Sequence, residues 1–295
     1  MNPSLRYKIG QMLIIGFEGT HFSEDSAIAH AIQEDAIGGV ILFDYHYQTK
    51  QFEKNIKNPL QVRRLNHDLQ QFNTQSRTQN QEPLLPLIIS VDYEGGQVNR
   101  LKEAYGFPAT ISPAEAGNMT PHAVAHAAEV MAETLQSLGF NLDFTPVVDV
   151  NITPQNPIIG QLGRSFSADP QKVAAYAKIY VETFAKFQIQ CVYKHFPGHG
   201  SSLTDSHLGF VDVTDTWQDI ELVPYQILLK NPTLCSMIMT AHIVNRHLDP
   251  SGLPATLSRP ILSDLLRKKL QFQGIIITDD MQMKAIADHY SLETA

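Results

Sequence analysis

The sequence predicts an α/β chain of the TIM-type (β/α)8 barrel class, and two observations carry that reading. Seven short, β-rich apolar runs recur with helical patterns between them, and ionisable residues collect at the C-terminal ends of six of the runs. In a barrel those ends share one mouth. A doubly wound open sheet would instead gather its groups near a single switch point.

The runs are Met12–Phe17, Gly39–Phe43, Leu87–Val91, Leu142–Val150, Cys191–Tyr193, Ser236–Ala241 and Gly274–Thr278. Several are continuous rather than alternating, as strands buried on both faces are. Asp44, Asp92, Asp149, Lys194-His195, His242 and Asp279 mark their ends. Asn66 to Glu82, rich in Gln and Asn, reads as the end of a helix running into a surface loop. Thr120-Pro121 opens a helix whose buried stripe is Val124, Ala127, Met131, Leu135 and Leu138, and Gly139 ends it. Asp169-Pro170 opens another, with Val173, Ala177, Val181 and Phe184 facing inward, and Ser258, Pro260, Leu262, Leu265 and Leu266 repeat the scheme. Residues 1–295 are expected to form one barrel catalytic domain. The chain stops at Ala295 within the helix due after Asp279, so an eighth strand and helix are expected to be lacking, as in a C-terminally truncated barrel.

Composition narrows the function. The net charge of −8, from 30 acids against 22 bases, argues against a nucleic-acid surface. No apolar stretch approaches the roughly 18 residues of a membrane span, and MNPSLRYKIG is too polar for a secretory signal, so a cytoplasmic protein is expected. Cys191 and Cys235 read as free buried thiols with no zinc or redox spacing, and Gly38-Gly39 and Gly95-Gly96 lack the context of a phosphate loop. No cofactor or metal is expected.

Four constellations could carry chemistry. The densest runs from Lys194-His195 through His199 to Asp205-Ser206-His207 on a Pro/Gly-shaped loop. A carboxylate beside an imidazole can orient it and stabilise its charged form, so Asp205 and His207 could work as an acid/base pair near neutral pH. An isolated histidine more often just hydrogen-bonds the backbone; clustering at strand ends reverses that balance. Asp279-Asp280 is the second. Asp279, at a strand tip, suits attack on an anomeric carbon, while Asp280 could simply cap the next helix. Asp92 with Arg100 across a Gly-Gly turn is the third, and Arg164 in the long loop after Asp149 the fourth. Together with Lys194 they could hold a polyhydroxylated substrate, although any one alone could be a surface ion pair worth almost nothing.

These stretches in this order resemble glycoside hydrolase family 3 β-N-acetylhexosaminidases, of the bacterial peptidoglycan-recycling type. The matching segments are KIGQM at 8–12, GGVILF at 38–43, VDYEGGQVNR at 91–100, FTPVVDVN at 144–151 and GRSFSADP at 163–170. KHFPGHG at 194–200, DSH at 205–207 and ITDDM at 277–281 complete them. The resemblance implies a retaining exo-β-N-acetylglucosaminidase acting on amino-sugar glycosides or muropeptides. It makes Asp279 the nucleophile, His207 the acid/base and Asp205 its dyad partner, with Asp92, Arg100, Arg164, Lys194 and His195 binding the N-acetyl sugar. Tyr93 and Gln97 depart from the family pattern, which often has Gln and Arg there. A glycoside phosphorylase or another family 3 β-glycosidase is the near alternative. A metal-dependent barrel hydrolase using His195, His199, His207, His242 and Asp279, or an inactive sugar-binding remnant, is the distant one.

Overall fold

The computed structural model describes residues 3–47, 49–205, 209–231, 234–291 and 293. Among them, parallel strands follow one another in chain order: Ile14–Gly16, Gly39–Leu42, Ile88–Val91, Leu142–Asp143, Gln190–Cys191, Tyr193–Phe196, Met237–Thr240 and Ile275–Thr278. The fifth and sixth segments are two halves of one strand interrupted at Val192, whose amide turns to the Thr145 carbonyl at 2.8 Å. A parallel bridge from Val147 to Lys194 carries the pairing across that interruption. All seven apolar runs therefore contain a strand. The first and last are each paired on one side only among the described residues.

The strands are sandwiched between two apolar layers. One cluster joins Leu142, Phe144, Val192 and Met239 with Ile14, Ile41, Ile88, Met237 and Ile277, so the first and last strands meet the same small core. The other face packs on helices through a larger core reaching from Phe17 to Phe272. Burial on both faces explains why the runs lack alternation.

The helix punctuation works as the sequence indicates. The Thr120 hydroxyl accepts from the Ala123 amide at 3.3 Å ahead of Pro121–Leu138, and Gly139 closes that helix in the left-handed conformation (φ 84°). Asp169 caps Pro170–Lys186 by accepting from the Gln171 amide at 2.9 Å. Two expectations change. The stretch from Asn66 does end a helix, but that helix, Pro59–Gln79, runs through nearly all of it and leaves the loop only the last few residues. Its amides satisfy neighbouring carbonyls: Asn66 donates to Leu138 O at 3.0 Å, Gln70 to Leu87 O at 2.6 Å and Asn73 to Leu85 O at 3.0 Å, while Val62, Leu65 and Leu69 make the buried stripe. The segment Pro260–Lys269 winds as a wider π-helix and buries Ile261, Leu265 and Leu266, while Leu262 is only half-buried. No helix among the described residues is long and apolar enough to cross a membrane.

Candidate active site

The strand Ile88–Val91 delivers Asp92 to the C-terminal edge, and a hairpin of Tyr93–Gly95 against Val98–Asn99 then folds the chain back. Gly95 (φ 89°) and Gly96 (φ 61°) make the turn, and a Cβ at Gly95 would sit 2.1 Å from the Ile111 carbonyl oxygen. The turn brings Arg100 back beside Asp92, with its Nη2 3.6 Å from Oδ2 and its amide donating to the Asp92 carbonyl at 3.1 Å.

Glu94, fully buried, organises the cations of the site. Arg164 grips it with two hydrogen bonds of 2.7 Å, and the Lys194 ammonium lies 2.6 Å from its Oε1 and 3.1 Å from Asp92 Oδ1. Burial alone would raise the Glu94 carboxyl, but Arg164 and Lys194 bring it far below the ordinary carboxylate range. Burial would likewise lower Lys194, and Glu94 with Asp92 holds it above the usual amine value. Two of the three ammonium protons are thus directed at carboxylates. Arg164 also donates to Ile158 O at 3.0 Å and to His195 Nε2 at 3.2 Å, so four of its five N–H groups are engaged inside the protein. It therefore orders the site through Glu94, Lys194 and His195.

His195 sits between Arg164 and Asp149. Arginine can only donate, so His195 Nε2 accepts, and Nδ1–H donates to Asp149 Oδ2 at 2.6 Å. The ring is thus held at both nitrogens. Asp149 also accepts from the amides of His195 (3.2 Å) and His199 (2.8 Å). Burial opposes its ionisation, yet the His195 ring and His199 hold it below the usual range. Burial, reinforced by His195, pushes His199 down to about 4, which leaves it uncharged at neutral pH and ill-suited to donate a proton there. Its Nδ1 meets the Ser202 hydroxyl at 2.6 Å.

Asp279 follows Ile275–Thr278 and is partly exposed; its amide donates to Thr240 O at 3.3 Å, and its Oδ1 accepts from the Asp280 amide at 2.8 Å. Burial raises this carboxyl, but His195, His242, the Asp280 amide and Lys194 together hold it below the ordinary range. Asp279 is therefore an ionised carboxylate near neutral pH, in the electrostatic field of the same cluster. Asp280 keeps the structural role, accepting from the Gln282 amide at 2.8 Å. His242 donates from Nε2 to the Asp280 carbonyl at 3.0 Å and meets Thr256 at 2.8 Å through Nδ1. With both ring nitrogens of His195 and of His242 engaged, neither imidazole has a lone pair aimed at open space for a metal.

The structure thus brings Asp92, Arg100, Arg164, Lys194 and His195 into one connected network, with Asp279 facing it. Asp205 is described, on the loop after Ser202, whereas His207 lies outside the described residues. Sequence reasoning missed Glu94, noted Asp149 only as a strand-end residue, and gave His242 work only as a metal ligand in the distant alternative. Glu94 stands within VDYEGGQVNR at 91–100, where no local signal marks it, since its partners Arg164 and Lys194 lie far along the chain.

Comparison with known proteins adds the following. The family description "Glycosyl hydrolase family 3 N terminal domain" matches residues 4–295. A β-hexosaminidase A from Pseudoalteromonas piscicida is 35% identical over 284 residues, covering 90% of this chain and 44% of that protein. A family 3 β-N-acetylglucosaminidase from Paenibacillus sp. str. FPU-7 superposes with a TM-score of 0.86 at 32% identity, covering 98% of this chain and 51% of the other. NagZ from Neisseria gonorrhoeae, solved with N-trifluoroacetyl-D-glucosamine, superposes with a TM-score of 0.77 at 28% identity over 92% of this chain and 74% of that one. The chain thus spans about half the length of the first two.

Proposed function

This chain belongs to glycosyl hydrolase family 3, and from that premise we propose that it is a retaining exo-β-N-acetylglucosaminidase that removes terminal β-linked GlcNAc. The observation that carries the proposal is Asp279: a carboxylate at a strand's C-terminal tip, kept ionised by its neighbours and facing a buried polar network. Asp279 attacks the anomeric carbon and forms a covalent glycosyl ester as the bond to the leaving oxygen breaks. His207 gives that oxygen a proton, with Asp205 stabilising the imidazolium in the bound sugar's complex. In the second step His207 takes a proton from water, whose oxygen attacks the same carbon and releases Asp279. Two inversions give net retention.

Asp92, Arg100, Lys194 and His195 contact the sugar, and Arg164 keeps Lys194 and His195 in register. Their charges support this reading: around Asp279, the carboxylates of Asp92, Glu94 and Asp149 are matched in number by Arg100, Arg164 and Lys194, which suits an uncharged, hydrogen-bonding ligand. The source we favour is GlcNAc-bearing peptidoglycan fragments, on the motifs shared with the recycling type. The architecture we propose for the catalytic unit, residues 1–295, is the TIM-type barrel, supported by the chain-ordered parallel strands and the shared inner core.

Turnover of a chromogenic β-GlcNAc glycoside tests the proposal. Release of GlcNAc at a rate indifferent to phosphate and to a chelator is expected. Dependence on phosphate would make the enzyme a phosphorylase, and loss on chelation would restore the metal-dependent reading.

A further inference from the structure

We infer that Glu221 is a positioning residue that anchors the loop bearing Asp205 and His207 and so sets the efficiency of proton transfer to the leaving group. The inference rests on the acid/base reading of that loop given above. Glu221 lies in the 3-10 turn Asp219–Leu222 that leads into the helix Val223–Leu228, and its side chain is buried against the Gly198–Ser201 stretch. Its Oε2 accepts from the Gly200 amide at 2.8 Å and its Oε1 from the Ser201 hydroxyl at 2.6 Å. Gly198 packs directly on it, since a Cβ there would come within 2.5 Å of Glu221 Cβ.

The position along the chain gives this contact its meaning. Ser201 and Ser202 are buried, while Leu203 and Thr204 are exposed and Asp205 half-buried. Glu221 thus grips Gly200 and Ser201, while the His199 ring meets the hydroxyl of Ser202, the last buried residue before the chain reaches the exposed Leu203 and Thr204. Beyond that grip, three residues, Ser202, Leu203 and Thr204, separate Ser201 from Asp205, so a small rotation at Ser201 is carried to Asp205. No Lys, Arg or His forms an ion pair with Glu221 among the described residues, and Asp149 adds repulsion to the cost of burying it. An acid kept in such a place for packing alone would be replaced by an apolar group without loss. Here its two oxygens satisfy two donors that an apolar side chain would leave unpaired.

The test reads kcat/KM, which reports glycosylation, on β-GlcNAc glycosides with a leaving group that needs no protonation (2,4-dinitrophenolate) and one that does (an alkyl alcohol). For Glu221→Ala a loss of about 50-fold or more on the alkyl glycoside, against less than about 5-fold on the dinitrophenyl one, is expected. Glu221→Gln should recover most of the loss, because its oxygen can accept from Gly200 and its amide can donate to a reoriented Ser201 hydroxyl. Ser201→Ala, which removes one partner only, should show a smaller loss of the same pattern and serves if Glu221→Ala does not fold. Equal losses on both substrates, or no loss, would overturn the inference. His207→Ala run in parallel separates the two levels. If it shows the leaving-group pattern and the Glu221 and Ser201 variants do not, only the anchor fails. If it lacks the pattern, the acid/base reading fails and the inference falls with it.

Discussion

Glu94 decides how the floor of the candidate site is held. Its carboxylate takes two bonds from Arg164 and one from Lys194 with no access to solvent, so the three charges stand or fall together. Removing one member of a buried ion pair leaves an uncompensated charge and costs about 3–5 kcal/mol. Glu94→Ala is therefore expected to lower unfolding stability by about 3 kcal/mol in urea melts, with most of the activity lost as Lys194 and Arg164 lose their orientation. A change under about 1 kcal/mol would show that Glu94 carries little of this load. Asp92, Lys194 and Asp279 were legible in the sequence because each interrupts an apolar run at its end. Glu94 was not, since nothing local says which way a side chain points once the chain enters a hairpin. The role of Arg164 was illegible for a related reason: its acid partner lies 70 residues away.

Helix ends were the most legible elements, because capping is local chemistry. Thr120 and Asp169 each hold an amide of the first turn, as their place before a proline indicated. Thr120→Ala is expected to cost about 1 kcal/mol, read from the shift in urea midpoint at unchanged slope. How far the helix runs past Asn66 was not legible, because its Asn and Gln bond to carbonyls of other elements, contacts that composition alone does not reveal. At the loop anchor, burial and then Asp149 outweigh the hydrogen bonds to Glu221 and push its carboxyl up to about 7. A group whose folded value is raised contributes stability below its unfolded value and loses it as pH rises through the folded one. Between about pH 4.5 and 7 the native chain should therefore lose on the order of 2–3 kcal/mol that Glu221→Gln keeps. Melting temperatures of the two proteins across that window check this, and parallel curves would contradict it.

For the whole molecule, the acids of the site run the other way. Glu94, Asp149 and Asp279 are all held below the ordinary carboxylate range, so their contribution is complete above it and is lost as pH falls through their lowered values. Acid titration followed by near-UV circular dichroism should keep the tertiary signal through pH 4 and lose it only below. The parallel, chain-ordered strands were legible from seven apolar runs, since strands buried on both faces leave continuous rather than alternating patterns. The pairing of Glu221 with Gly200 and Ser201 was not, because it depends on how a helix start meets a loop some twenty residues earlier. The central claim is that the carboxylate of Asp279 forms a covalent bond with the sugar. Incubation with an activated 5-fluoro-GlcNAc glycoside, followed by peptide mapping, tests it most directly. The expected result is a single sugar adduct on the peptide containing Asp279, absent in Asp279→Asn; an adduct on another residue, or none from an active enzyme, would contradict the account.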